Sequence, residues 1–144
     1  MASNVAKAAA RVAPELGNAR LATSVSFADD EALQALNREW RGKDKPTNVL
    51  SFPMLERPTL LALPADGPPE MLGDIAIALE TCRREASGKS ASLQDHAAHL
   101  LVHGLLHLAG YDHETGEQDA EKMEQLEIKC LAILGIADPY GRLA

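Results

Sequence analysis

The stretch His103-Gly104-Leu105-Leu106-His107-Leu108-Ala109-Gly110-Tyr111-Asp112-His113 limits what this chain can become more than any other. His103 and His107 are four residues apart, so on a helix they stand one turn above each other on one face. Two imidazoles held that way can share one metal ion. Gly110 sits where a helix ends, and a glycine there takes the left-handed conformation that turns the chain back. That turn is expected to swing His113 round as a third ligand. Three histidines leave one tetrahedral position open, the arrangement of a catalytic rather than a structural zinc. The expected metal is therefore one Zn2+ per chain, held by His103, His107 and His113.

The spacing equals that of the H-E-x-x-H-x-x-G-x-x-H zinc hydrolases, in which a helix and the following turn hold zinc. One position departs. The glutamate that serves those enzymes as general base is replaced by Gly104, so peptidase chemistry lacks its proton acceptor. The alternative reading, a helix with incidental histidines, needs both spacings and the glycine to coincide in a chain with five histidines.

The 144 residues suffice for one domain, 1–144, with a sizeable core. No apolar run approaches the ~18 residues of a membrane span. The N-terminal residues show no secretory signal; Val5, Ala9, Val12 and Leu16 recur at helical spacing, which explains them more simply than a transit peptide. Cys82 and Cys130 each fall in an apolar helical pattern and read as buried thiols in a reducing cytoplasm, not as a disulfide. The net charge of −7 argues against general affinity for nucleic acid, although a local basic groove remains compatible with it.

In chain order, residues 3–16 read as a helix. Residues 20–28 read as a strand with Leu21, Thr23, Val25 and Phe27 on its better-buried face. Asp29 caps a helix over 30–40 with Ala32, Leu33, Leu36 and Trp40 on its apolar side. A charged loop, Arg41 to Pro46, leads to a short strand over 48–52. Residues 53–72 hold five of the eight prolines and read as a long loop. A strand over 73–78, with Asp74 in the turn at its start, precedes a helix over 79–87 carrying Arg83 and Arg84. Ser92 with Asp95 resembles a capping box for the helix that aligns His96, His99, His103 and His107. A last helix runs from 117 to 134, with Ala120, Met123, Leu126, Cys130 and Ile133 as its core stripe. The class is α+β (mixed α/β): a small domain with a short mixed sheet packed by helices and a zincin-like, metalloprotease-like metal-site helix.

The run Arg41-Gly-Lys-Asp-Lys-Pro-Thr-Asn-Val-Leu-Ser-Phe-Pro53, together with the histidine stretch, resembles the YbeY family of bacterial endoribonucleases. So do Leu72-Gly-Asp-Ile75, His99-Leu-Leu-Val-His103 and Gly135-Ile-Ala-Asp-Pro-Tyr140. The resemblance covers about residues 20–140. It implies a cytoplasmic, metal-dependent, single-strand-specific RNase that matures the 3′ end of small-subunit ribosomal RNA and takes part in ribosome quality control. Single-stranded ribosomal RNA and the ribosome or its assembly proteins are the implied partners; no membrane or DNA is. The family's zinc ligands fall on His103, His107 and His113, and its functional arginine falls on Arg41. Members usually begin with a strand ahead of the first helix; this chain starts in the helix, which leaves the composition of its sheet open.

Phosphodiester cleavage builds negative charge on the phosphate, and a guanidinium binds that charge bidentately. Arg41 is the candidate, with Lys43 and Lys45 widening the local field; otherwise all three are solvated loop residues. His99 is expected as a hydrogen-bonded core histidine and His96 as exposed. Asp112 and Glu114 flank the third ligand, with turn and surface roles as their alternative. Two further functions stay open: a zinc hydrolase of a peptide or small amide, and a ribosome-assembly factor with a structural metal.

Overall fold

The computed structural model describes residues 2–112 and 116–140. Its central element is a helix that is hidden almost all round. This helix, α5, spans Leu93–Leu108, and the Ser92 hydroxyl accepts the Asp95 N–H at 3.0 Å to start it. At its other end Gly110 (φ 103) closes a Schellman turn, with Gly110 N–H on the His107 carbonyl and Tyr111 N–H on the Leu106 carbonyl.

Before it come α1 (Ala2–Val12), a 3-10 turn (Pro14–Gly17), β1 (Leu21–Ala28), α2 (Asp30–Arg41), β2 (Val49–Pro53), α3 (Arg57–Ala62), β3 (Glu70–Ala78) and α4 (Leu79–Gly88); α6 (Glu117–Ile133) follows. The sheet has the order β1-β3-β2. β1 lies parallel to β3, and β2 lies antiparallel to it, so the sheet is mixed as expected. α5 packs on one face of β2 and β3, and α1, α4 and α6 surround it. The main core joins Val5, Leu72, Ile75, Leu101, Leu106, Met123 and Leu131. On the other face α2 covers a smaller core of Leu33, Leu50, Ala76 and Ala78.

Several expectations need correction. The first helix stops at Val12, and the 3-10 turn takes over after Ala13 because Pro14 cannot extend an α-helix. β1 is an edge strand, so Val25 and Phe27 stay 37% and 48% exposed rather than forming a buried face. Residues 53–72 are not a continuous loop. Pro58 falls in the first turn of α3, where its missing N–H costs nothing, and Leu60 anchors that helix in the main core. β3 starts at Glu70, which places Asp74 in mid-strand opposite Ser24 and Phe52, not in a turn.

α3 also fixes the end of α5. Arg57 donates to the Ala109 carbonyl, pairs with Glu15 at 2.9 Å and lies over the Tyr111 ring. The Tyr111 hydroxyl donates to the same Glu15 carboxylate. The segment that leaves α5 is thus held by a buried-rim ion pair and a cation–π contact. Cys82 and Cys130 are free and buried, as expected; burial and the Glu127 charge push the Cys130 thiol up to about 11.

Candidate metal centre and RNA cleft

From His96 to Leu108 every residue of α5 is buried except His103 and His107. These two are therefore the only points along three turns where the helix meets the surface, and both open into one cleft of about 250 Å³. The opposite wall comes from the end of α2 and the loop after it: Arg41, Lys43 and Lys45 line the same cleft. Asp29 starts α2 by accepting the Ala32 N–H at 2.7 Å, and the helix then runs to Arg41 at the cleft's edge. Five of the residues singled out in the sequence, Arg41, Lys43, Lys45, His103 and His107, are brought together here. Arg84 is not among them: it is paired with Asp30 at 2.7 Å on the far side of α2, and Arg83 does not line the cleft. His113 and Glu114 lie outside the described residues, so the third ligand is not placed.

Behind His103 stands a group that the periodicity of α6 did not single out. Glu127 is 1% exposed and sits on the buried side of α6 between Met123 and Cys130. Its Oε2 lies 3.1 Å from His103 Nδ1, and its Oε1 lies 2.9 Å from His99 Nε2 and accepts the Tyr140 hydroxyl at 2.8 Å. Burial alone would raise the Glu127 pKa. The hydrogen bonds from His103 and His99, the charge of His103 and the Tyr140 hydroxyl outweigh burial and hold it at about 2. An ionised carboxylate only accepts, so both imidazoles donate to it. In the neutral form of His103 the lone pair then falls on Nε2. One signal in the sequence could have found Glu127: a carboxylate inside an apolar helical stripe needs a partner.

His99 is the hydrogen-bonded core histidine that was expected. His96 is not exposed: it is 5% accessible, and its Nε2 lies 2.8 Å from Glu85 because α4 packs over it. Burial lowers its pKa, against the pull of Glu85.

At Gly104 α5 lies close against the sheet. A Cβ there would meet Ile75 side-chain carbons at 2.9 and 3.1 Å and the Ser51 hydroxyl at 3.1 Å. The donor chemistry of the cleft fits a zinc ion. Two imidazoles share a face, and one is held by a carboxylate through its other nitrogen, the support that metal-binding histidines ordinarily have.

A mixed three-stranded sheet, a helix buried but for two histidines and a basic cleft beside them define an α+β scaffold. The family model described as endoribonuclease YbeY matches residues 1–135, and the chain belongs to that family, whose members cut RNA internally. A relative named endoribonuclease YbeY from Erythrobacter litoralis is 65% identical over 94% of this chain and 84% of its own length. Another of that name, from Novosphingobium aromaticivorans, is 61% identical over 98% of this chain and 85% of its own length. The solution structure of a Thermotoga maritima protein shares the fold, with a TM-score of 0.55 at 24% identity over 97% of this chain and 91% of that one. No helix among the described residues is long and apolar enough to cross a membrane.

Proposed function

We propose that this chain is a zinc-dependent, single-strand-specific endoribonuclease of the cytoplasm, acting in 3′-end maturation of small-subunit ribosomal RNA and in ribosome quality control. One observation carries the reading most: from His96 onward the only residues of α5 that reach the surface are His103 and His107, and they face Arg41, Lys43 and Lys45 across one cleft. Metal donors and phosphate donors share a single depression. The family's name supports RNA as the polymer that fills it.

In this reading His103, His107 and His113 hold the ion. When bound, zinc supplies Lewis acidity toward a water and toward a phosphoryl oxygen. The protein's own residues do the rest. Glu127 accepts the Nδ1 proton of His103 and thereby fixes the ring's tautomer and direction. Arg41 takes the scissile phosphate with its planar fork, and Lys43 and Lys45 add point charges beside it. The cleft is small and its walls are a helix end and a strand edge, which suits one extended strand better than a duplex. Because the whole chain carries −7, a few local contacts provide the attraction, and the ribosome or an assembly protein is the partner that presents the strand.

The test compares wild type with His107→Ala on one RNA sequence, single-stranded and as a duplex, with zinc measured in the same preparations. Wild type should cut the single strand and spare the duplex. Equal cutting and equal zinc in His107→Ala would refute the assignment. Cells deprived of the protein should accumulate small-subunit RNA with an uncut 3′ end, restored by wild type alone.

A further inference from the structure

The stripe of α2 that includes Leu33 and Leu36 continues to Trp40, but the burial does not continue with it. Leu33 is fully buried, whereas Trp40 is 70% exposed. Its indole meets Phe52 of β2 edge to face, with ring centroids 6.4 Å apart. Together they wall a groove of about 650 Å³ whose floor is the sheet, with Pro53 and Met54 at one end and Asp74 and Ser24 beneath. Met54 is 57% exposed as well. Large apolar side chains gathered in this way cost solubility and mark a surface that something covers.

Position tells what covers it. Trp40 directly precedes Arg41, and Phe52 directly follows Ser51, which lines the cleft. The cleft and the groove lie on the two sides of β2, and a third depression joins them, lined by His107 together with Pro53 and Met54. A single strand whose phosphate rests against Arg41 has bases that must be placed within a residue's reach of it. We propose that the Trp40–Phe52 groove is a nucleobase-stacking subsite for the RNA strand cut at the His103–His107 cleft. The proposal rests on the endoribonuclease reading and adds where the bases go.

The chemistry of the groove suits a base and not a phosphate. Its walls offer aromatic and thioether surface, on which any base can stack without regard to sequence. Its floor carries the half-buried carboxylate of Asp74, which accepts hydrogen bonds from ring N–H and amino groups and repels phosphate. The cations lie on the other side of β2, in the cleft. Backbone and bases therefore sort to opposite sides of one strand.

Trp40 is the only tryptophan in the chain, so its emission reports on this groove alone. The experiment titrates wild-type protein with a single-stranded RNA oligonucleotide and follows both tryptophan emission and oligonucleotide anisotropy. The emission should be quenched with the same midpoint as the anisotropy. Trp40→Ala should weaken binding by ~5- to 150-fold, the range for losing one aromatic stack, and Trp40→Phe should recover most of it. An abasic strand of equal length should bind wild type and Trp40→Ala alike, which a general disturbance of the cleft would not allow. Cleavage should change in KM, with kcat for a dinucleotide-sized substrate unmoved. RNA that is bound and cut with unquenched Trp40 and an unaffected Trp40→Ala would overturn this inference alone. If that variant instead loses only its association with small-subunit particles, the patch docks protein. Wild type that neither binds nor cuts RNA would overturn the endoribonuclease reading, and this inference with it.

Discussion

The four histidines of α5 lie along one stripe, yet its two ends live in different media. At the first end His96 and His99 are buried, each held by a carboxylate from a neighbouring helix. At the far end His103 and His107 reach the surface and share a cleft with Arg41. The steps of three, four and four residues keep all of them on that stripe. What differs is the cover: α4 and α6 close over the first two turns, while the last two border a cleft whose other wall, among the described residues, includes the α2 end and its loop. Periodicity decides which residues share a face, and neighbouring elements decide what that face can do. His103 joins the two regimes, since one of its nitrogens faces the buried Glu127 while its side chain borders the cleft.

The largest test of that contrast is at the open end. His107→Ala should remove most of the zinc and bring RNA cleavage to background, read by elemental analysis beside an activity assay. If instead His96→Gln emptied the site as fully, the division between the two ends would be wrong. Next in size is Arg41→Ala. It should leave the zinc and the melting temperature in place while slowing cleavage by ~10²–10³, the usual cost of one donor to a developing charge. A rate within about twofold of wild type would strip Arg41 of its role.

Glu127 probes the hinge between the regimes. Glu127→Gln replaces an acceptor-only carboxylate with an amide, so His103 loses the partner that fixes its tautomer. Zinc should bind ~10–100-fold more weakly, as for other groups that support a metal ligand. The His103 ring nitrogens, followed by NMR in zinc-free protein, should also lose their single tautomer. Unchanged affinity and tautomer would make Glu127 a packing residue only. Its folded pKa of about 2 lies below the ordinary 4.5. The stability it contributes is therefore complete above about 4.5 and lost as pH falls toward 2.

How much of this was legible in the sequence depended on whether the cause was local. The cap at Ser92, the one-turn spacing of His103 and His107 and the turn at Gly110 are set by residues within a few positions of each other, and all three stand as read. Arg41 is separated from His103 by 62 positions of the chain (103 − 41), and only its resemblance to a family motif linked them. Glu127 escaped because its partners lie 28 and 24 residues away, joined by the packing of α6 on α5. α3 escaped because prolines at 58 and 64 suggested a broken loop, although a proline in the first turn favours a helix. His96 looked exposed because its cover comes from α4, which no pattern in α5 reveals.

The smallest expected effect is at the buried end. Burial sets the folded pKa of His96 below its ordinary 6.5. The unfolded chain then takes up protons first as pH falls, so the contribution of His96 is full above about 6.5 and declines below it. Thermal melts between pH 7.5 and 5 should show this acid-side decline in wild type. His96→Gln, which can still donate to Glu85 but does not titrate, should flatten it. An identical slope in the variant would mean that the acid sensitivity arises elsewhere.

Gly104 has a consequence for the history open to this scaffold. The histidine spacing is that of the zinc peptidases, and one substitution would seem to supply their missing glutamate. Ile75 and Ser51 occupy the space that the new side chain would need from its first carbon onward. Acquiring the base would mean that Ile75 and Ser51 give way beneath the helix that carries both histidines. The step to amide hydrolysis is one codon wide in sequence and a repacked core wide in space. A chain folded this way favours chemistry in which the proton acceptor comes from somewhere other than position 104 of its histidine helix.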